Sequence, residues 1–311
     1  MSKQPRRGHP FLRELAAGLL RFSGLPWLIR HVVARRRVTI ILYHDPSPDV
    51  FEAHMRYLSR RYHFVGMNDV ADAIERADWS RLPPRSLVVT FDDGHKGNHL
   101  LLPIFRRYGV RPTIYLVSRV IGTDRHYWFQ HDGVHSWSLM PLPNAQRLRV
   151  LEERFGFTPT REYPGDRHAL SVDEIREMQD VVDFEPHTCF HPVLPSCEDE
   201  ESRREIVESK HDLEKLLGRP CRSFSYPNGD YGSREIAYAN AAGFVCARTI
   251  DVGWNGPATD PFRLRITGVT DDASINILAS QLSGITMYFR YLRRGGRGGR
   301  YPQVQVERAS T

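Results

Sequence analysis

The stretch SLVVTFDDG, residues 86–94, is a short apolar run that ends on two carboxylates and a glycine. A continuous apolar run of this length is typical of a strand buried on both faces, as in a parallel sheet. Adjacent carboxylates are costly beside a core unless they are paired or bind a cation. Glycine permits the sharp turn that brings both to one place. The stretch therefore predicts a buried strand with Asp92 and Asp93 at its carboxyl end, although Asp-Asp-Gly also suits an ordinary turn.

Similar apolar runs recur on both sides of this stretch, with helical patterns between them. Alternating strands and helices indicate an α/β fold with a parallel sheet. About seven such units can close into a barrel, whose chemistry gathers at the carboxyl ends of the strands. The predicted strands are 38–43, 86–91, 112–117, 181–185, 223–226 and 244–249, and the predicted helices are 50–60, 68–77, 100–108, 198–217, 233–242 and one after Ser171.

The composition divides the chain into a central domain, residues 38–290, and two basic ends. Within the domain, residues 124–170 hold several histidines and aromatic residues with little period, and we interpret them as an insertion over the barrel mouth. Residues 291–311 contain RRGGRGGR and are predicted to be disordered, because a Gly-rich basic segment cannot bury a core.

Residues 1–37 form a basic, amphipathic extension that is broken at Gly24–Pro26. It suits peripheral contact with a membrane, or a helix packed on the domain, or a frayed end. The charge-free stretch 22–29 is too short to span a bilayer, and no signal-peptide pattern is present. We therefore expect a cytoplasmic or membrane-peripheral protein, with an extracytoplasmic location still open.

The net charge of +6 lies mostly in the two ends, so it says little about the active site. No nucleic-acid motif is visible, and we expect no nucleic-acid partner. The four cysteines form no CxxC pair. They fit reduced thiols, although one or two disulfides are possible.

Three more polar clusters follow or flank predicted strands. His187 and His191 in HTCFHP suit one metal ion if the segment is helical, since positions i and i+4 share a helix face. Arg222 can pair with a carboxylate and keep it deprotonated. A turn near Tyr226 can aim a backbone N–H at an oxyanion. His44 ends the first strand and is a candidate proton donor, and each cluster alone also fits an ordinary turn or hydrogen-bonded polar residue.

The motifs TFDDG, HTCFHP and RSFSYPNG, in this order, resemble the first three motifs of the polysaccharide deacetylases, carbohydrate esterase family 4, also called the NodB homology domain. The similarity runs from about residue 38 to about residue 285. The segments LYHD and DPFRLRI resemble those of the bacterial branch of the family, which is found in exopolysaccharide gene clusters. The resemblance implies a distorted (β/α)7 barrel, a divalent metal, usually Zn²⁺, and a hydrolase that removes N-acetyl groups from a polysaccharide or oligosaccharide.

Individual roles follow from the same resemblance. Asp92 matches the catalytic base, and Arg222 matches the arginine that orients it. Tyr226 matches the residue whose backbone N–H helps to form the oxyanion hole. The implied metal ligands are Asp93, His187 and His191.

The sequence departs from the family in its last two motifs. Only Asp251-Val-Gly-Trp254 remains of the fourth, and Leu264-Arg265-Ile266 lacks the histidine of the fifth. In members with a permuted strand order, that histidine comes from an N-terminal Tyr-His strand. We therefore expect His44 to be the general acid, with His131 and His135 as weaker alternatives.

Two other functions remain open. One is a deformylase or deacetylase of a lipid-linked sugar, which the amphipathic N-terminus fits. The other is a non-catalytic carbohydrate-binding relative, which the missing fifth-motif histidine fits. The intact Asp92, Asp93 and two histidines argue against the latter, because a binding module needs no base beside a metal. The sequence leaves open the sugar, the linkage and the oligomeric state.

Overall fold

A parallel sheet curls into a nearly closed barrel in the computed structural model, which describes residues 10–284. The strands are β1 Thr39–Tyr43, β2 His63–Phe64, β3 Ser86–Phe91, β4 Thr113–Leu116, β5 Asp183–Pro186, β6 Ser223–Ser225, β7 Cys246–Val252 and β8 Leu264–Gly268. The strand order is β5-β4-β3-β1-β8-β7-β6, and β2 pairs with β3 off this path. The predicted α/β barrel is therefore confirmed.

The central strands are buried along their whole length, because helices cover the outer face and side chains fill the inner one. Every residue of β1, β3, β4 and β5 is buried. This double burial explains the continuous apolar runs of β1 and β3. The α-helices are α1 Pro10–Phe22, α2 Leu25–Leu28, α3 Pro48–Leu58, α4 Met67–Glu75, α5 Leu102–Tyr108, α6 Ser136–Leu139, α7 Asn144–Phe155, α8 Val172–Met178, α9 Asp199–Leu217, α10 Ser233–Ala241 and α11 Ile275–Leu282.

Local signals set several helix ends. Ser171 caps α8: its Oγ accepts the Glu174 N–H at 3.1 Å, while the Glu174 carboxylate accepts the Ser171 N–H at 2.7 Å. The α9 helix ends at Gly218, which has a φ of 66°. Such left-handed C-caps favour glycine because it has no Cβ. The capping box and this stop signal place both helices where the sequence predicts them.

The insertion between β4 and β5 is more regular than its sequence suggests. It contains α6 and α7, which pack on a small apolar cluster that Val193 from beyond β5 completes. Polar residues obscure the helical period of α7, because Asn144 and Arg147 occupy buried positions and hydrogen-bond each other. Strand β8 also lacks a clear sequence signal, since the exposed Arg265 interrupts its apolar run.

The N-terminal extension packs on the barrel. Helix α1 contacts α11, and the chain turns at Gly24, whose φ is 79°, before α2. The predicted break is therefore present. Residues 291–311, the predicted disordered tail, lie outside the described residues. Within residues 10–284, none of the helices combines the length and apolar content that a bilayer crossing requires. The four cysteines are buried, free thiols.

The barrel closes at a seam between β5 and β6, which end the strand order but lie side by side. Here the Glu185 side chain takes the place of a ladder of backbone hydrogen bonds between the two strands. Glu185 of β5 is buried, and its Oε2 accepts the N–H groups of Arg222 at 2.8 Å and Ser223 at 2.9 Å. Its Oε1 lies 3.3 Å from Arg219 Nη1. One carboxylate of β5 thus accepts the two backbone N–H groups at the start of β6, for which β5 provides no ladder partner.

Glu185 is expected to make stability depend on pH. Burial raises its pKa from 4.5 to about 7, despite the opposing effect of the Ser223 N–H and Arg219. Because the folded state holds this proton more tightly than the unfolded state, the contribution to stability is full below pH 4.5 and is lost as the pH rises towards 7. The loss amounts to about 3 kcal/mol at most.

Denaturant unfolding of Glu185→Gln and wild type between pH 4.5 and 7 measures this contribution. The amide oxygen can still accept both N–H groups but does not titrate. The stability difference between variant and wild type should therefore shift in favour of the variant as the pH rises. Glu153→Gln, at an exposed position of α7, is the control. A difference that is independent of pH would contradict the prediction.

Candidate metal centre

The predicted functional residues gather at one end of the barrel. Asp92 and Asp93 follow β3, His187 follows β5, and His44 follows β1. These strands are parallel, so their carboxyl ends share one rim. The turn after Asp93 requires glycine: Gly94 has a φ of 75°, and a Cβ there would lie 2.4 Å from Leu116 Cδ2.

Asp93, His187 and His191 have the geometry of a metal site. Asp93 Oδ1 lies 3.3 Å from His191 Nε2 and 3.6 Å from His187 Nε2. Ligand atoms about 2.1 Å from a tetrahedral zinc ion are about 3.4 Å apart, so these separations fit one ion. The same Oδ1 is buried without a hydrogen-bond partner. A buried acceptor of this kind suits an ion or water as its partner.

The protonation states of these residues also suit a cation. Despite the cost of burial, His191 and His95 hold the pKa of Asp93 well below its usual range. Burial lowers the pKa of His191 to about 4, which keeps its ring neutral near pH 7. His187 donates Nδ1–H to the Ser225 carbonyl at 2.7 Å, which leaves the Nε2 lone pair facing Asp93. A carbonyl behind the ring fixes the ligand tautomer.

The two histidines converge through a turn and not through the helix that their spacing suggests. No helix covers residues 187–191. Thr188 and His191 have φ values of 68° and 58°. The Thr188 Oγ1 accepts the His191 N–H at 3.0 Å and so stabilises this bend. The helical explanation of the spacing is wrong, although the two imidazoles do meet, with ring centroids 4.9 Å apart.

Neighbouring residues that the sequence did not reveal hold this turn. Glu205 of α9 accepts the N–H groups of Cys189 at 2.8 Å and Phe190 at 3.0 Å. From the insertion, Tyr127 donates its hydroxyl to the Asp93 carbonyl at 2.8 Å, and Trp128 donates Nε1–H to the His191 carbonyl at 2.8 Å. The insertion therefore braces the metal site, a role that only tertiary contacts reveal.

Asp92 is paired with Arg248, not with Arg222. Arg248 is fully buried, and its Nη2 donates to Asp92 Oδ1 and to Ser225 Oγ. Burial alone would raise the pKa of Asp92, but Arg248, and then His187 and His44, lower it overall. The carboxylate next to the metal ligands is thus kept deprotonated.

Arg222 lies outside this site, which corrects the role expected for it. Its Nη2 pairs with Asp72 at 2.8 Å and Glu75 at 2.7 Å, both on α4. The reason is the strand alternation: Ser225 pairs in register with Arg248, and both side chains reach Asp92, whereas Arg222 precedes β6 and turns outward. The sequence signal for the role of Arg248 was its position inside the otherwise apolar run VCARTI.

The two arginines should therefore respond differently to substitution. In Arg248→Gln, loss of the neighbouring cation raises the pKa of Asp92, so the acidic limb of the pH dependence of kcat/KM should move to higher pH. Arg222→Gln should leave that limb in place. The measurement is the pH profile of both variants. A shift in the Arg222 variant alone would restore the original assignment.

Tyr226 is also placed differently from the expectation. Its backbone N–H donates to the Arg248 carbonyl at 3.3 Å, so it is engaged within the sheet and does not face the metal ligands as a free donor. Its hydroxyl donates to the Phe262 carbonyl at 3.3 Å. The oxyanion role expected for Tyr226 is not supported by this arrangement.

His44 lies at the rim with an exposed side chain, close enough to Asp92 to lower its pKa. The Asp271 carboxylate accepts the N–H groups of His44 at 3.1 Å and Asp45 at 2.9 Å, and so fixes the turn that carries the imidazole. By contrast, His131 is engaged inside the insertion, where its Nδ1 lies 3.0 Å from His126.

A second histidine group lies in the insertion and has a different character. His126, Asp166 and His168 place potential ligand atoms within 4.8 Å of one another. However, the His126 and His168 rings are stacked at 3.9 Å with planes 8° apart. Two parallel rings cannot both aim in-plane lone pairs at one ion between them. The group therefore acts as a stack within the insertion.

Known proteins resemble this chain in sequence. A family model described as "Polysaccharide deacetylase" matches residues 80–247, more than half of the chain. A Bacillus subtilis (strain 168) protein named "Putative polysaccharide deacetylase YxkH" is 21% identical over 227 residues, 70% of this chain. The match spans 66% of that relative.

Solved structures share the fold. The Streptococcus pyogenes deacetylase PplD, determined with acetate, has a TM-score of 0.59 and 18% identity, with 79% of this chain and 98% of that chain covered. IcaB from Ammonifex degensii has a TM-score of 0.58 and 19% identity, with 79% and 97% covered. The fold is thus the distorted (β/α)7 barrel of the NodB homology domain, and the chain belongs to the polysaccharide deacetylase family.

Proposed function

We propose that this protein is a metal-dependent hydrolase that removes N-acetyl groups from an N-acetylated sugar of a polysaccharide or oligosaccharide. Membership of the family implies a hydrolase that de-N-acetylates glycans. The observation that carries the finer proposal is the buried triad of Asp93, His187 and His191 beside the Arg248-paired Asp92. A base next to a metal site with open positions suits hydrolysis.

The three ligands would hold one divalent ion, and we propose Zn²⁺ because two imidazoles and one carboxylate are a preferred zinc donor set. When bound, the ion would supply Lewis acidity towards the acetamide carbonyl and water. Around it, the chain's residues orient the ligands. The Ser225 carbonyl fixes His187, and Thr188 fixes the turn to His191.

Asp92 is the proposed general base. Its Oδ2 lies 3.8 Å from His187 Nε2, so the carboxylate borders the ligand set without belonging to it as closely as Asp93 does. Arg248 keeps it deprotonated and fixes one oxygen, which leaves the other to accept a proton from the attacking water. The amine leaving group then needs a proton, and we propose that His44 donates it.

His44→Ala should lower the kcat for an amide substrate but not for an activated ester. An amide nitrogen leaves poorly until it is protonated, whereas the leaving group of an activated ester needs little protonation. Amide cleavage should therefore fall by roughly 10²-fold, while cleavage of an activated acetate ester of similar shape is spared. The kcat values of both reactions are the measurement, with His63→Ala as a control at another exposed histidine. Equal loss on both substrates would exclude His44 as the acid.

Acetate release tests the function as a whole. Purified protein with added Zn²⁺ should release acetate from chitooligosaccharides, peptidoglycan fragments, poly-N-acetylglucosamine or lipid-linked N-acetylated sugars, and a chelator should stop the release. Parallel formate measurement distinguishes a deformylase. Binding of these glycans without any release would instead support a non-catalytic carbohydrate-binding relative.

A further inference from the structure

An apolar surface along one side of the barrel has no role in the proposed chemistry. Ten of the thirteen exposed large apolar side chains among residues 10–284 lie between Phe11 and Val33, and Phe11, Leu19 and Phe22 are 74%, 69% and 79% exposed. Soluble monomers rarely expose so concentrated a set. We call this set the docking surface: Phe11, Leu12, Leu15, Leu19, Phe22, Leu25, Trp27, Leu28, Val32 and Val33.

The polar side of α1 fixes where this surface lies. Glu14 accepts hydrogen bonds from Ser274 Oγ and Asn276 Nδ2, both at 2.7 Å, and Arg21 Nη1 donates to Asn276 Oδ1 at 2.9 Å. These partners begin α11, three to five residues after Asp271, which holds the backbone of His44. Helix α1 therefore packs beside the rim of the barrel and presents its apolar side to solvent. The residues that follow reach the opposite end of the barrel, where the Arg35 carbonyl accepts the Arg85 N–H ahead of β3 at 2.8 Å.

The segment that carries the surface has charges of almost one sign. Between residues 10 and 37 the only acidic residue is Glu14, and its carboxylate is engaged with α11. Arg13 and Arg35 to Arg37 are exposed. An apolar face with a cationic margin is complementary to an anionic lipid headgroup layer. A second copy of this chain would bring the same arginines together, which disfavours a dimer here.

We propose that the docking surface lies on an anionic lipid bilayer, with its apolar side chains at the boundary between headgroups and acyl chains. It rests on the proposed function in one respect: because the α1 part of the surface packs beside the rim, the N-acetylated sugar that the site cleaves is carried on a lipid. The sugar then reaches the metal site without leaving the membrane surface.

Vesicle sedimentation tests the docking step alone. Full-length protein should bind vesicles of phosphatidylcholine with phosphatidylglycerol at least tenfold more tightly than vesicles of phosphatidylcholine only. Leu15→Asp/Leu19→Asp should lose at least tenfold of that binding, while Trp137→Asp, an equally exposed apolar residue in the insertion, should not. Circular dichroism and metal content check that each variant folds.

Three outcomes would overturn the docking step. They are no binding to either vesicle, equal binding of all variants, and a dimer in solution that Leu15→Asp/Leu19→Asp converts to a monomer. The last would mean that a second copy covers this surface.

Activity then tests the substrate class. On an N-acetylglucosaminyl lipid in anionic vesicles, Leu15→Asp/Leu19→Asp should reduce kcat/KM at least tenfold, whereas a soluble oligosaccharide should be cleaved as by wild type. If the double substitution changes kcat/KM relative to wild type by the same factor on both substrates, the lipid-linked substrate is overturned. If wild-type protein cleaves neither substrate but binds vesicles, the proposed function fails while the docking step stands.

Discussion

The double substitution His187→Ala/His191→Ala should remove the metal and the activity together. Two of three protein ligands are lost, and Asp93 alone cannot hold a divalent ion tightly. Loss of the Lewis acid removes several kcal/mol of transition-state stabilisation, so turnover should fall by roughly 10³-fold or more. Metal content by mass spectrometry and acetate release are the two measurements.

A matched double variant, His63→Ala/His99→Ala, removes two histidines outside the triad and should keep both metal and activity. His63 bonds a loop carbonyl, and His99 pairs with Glu177. Full metal occupancy in the His187/His191 variant would disprove the ligand assignment, whatever its activity.

Asp92→Asn should keep the metal but lose roughly 10²- to 10⁴-fold in turnover, as expected when a general base is removed. The amide has nearly the same shape, so the ligand triad is left in place. Because Arg248 then lacks its buried counter-charge, the variant should also be less stable. Metal content, turnover and thermal unfolding separate these effects.

Asp93→Asn is the companion variant, and it should lose metal affinity. The distances favour this division of roles, since one Asp93 oxygen faces both histidines at 3.3 and 3.6 Å. If Asp92→Asn loses the metal while Asp93→Asn retains it, the two carboxylates have been assigned in reverse.

The parts of the fold that are buried on both faces were predictable from the sequence. Strand β3 matches its predicted limits because its apolar run has no interruption. Strand β8 and helix α7 were missed because Arg265 and the buried Arg147 break the pattern. Hydrogen bonds within the fold satisfy the buried Arg147, whereas Arg265 is exposed to solvent. A local interpretation takes both arginines as signs against regular structure.

The site was predictable where one motif supplies neighbouring residues. The pair Asp92 and Asp93 needs only a strand end and a turn. The partner of Asp92 depends on which side chains face inward from another strand. Arg248 faces inward and Arg222 faces outward, but the sequence motif favoured Arg222. Supporting residues such as Glu205 and Tyr127 come from distant segments, with no sequence signal to link them.

The seam between β5 and β6 also bears on solubility. A barrel that closes with a side chain in place of a ladder has two potential strand edges, and free edges can pair with another chain and start aggregation. Glu185 presents an inward carboxyl group at this place and occupies the N–H groups of Arg222 and Ser223. When the seam opens briefly, β5 carries a charged residue that resists pairing with a foreign strand. The same glutamate that links the two strands thus also protects the protein from edge-to-edge association.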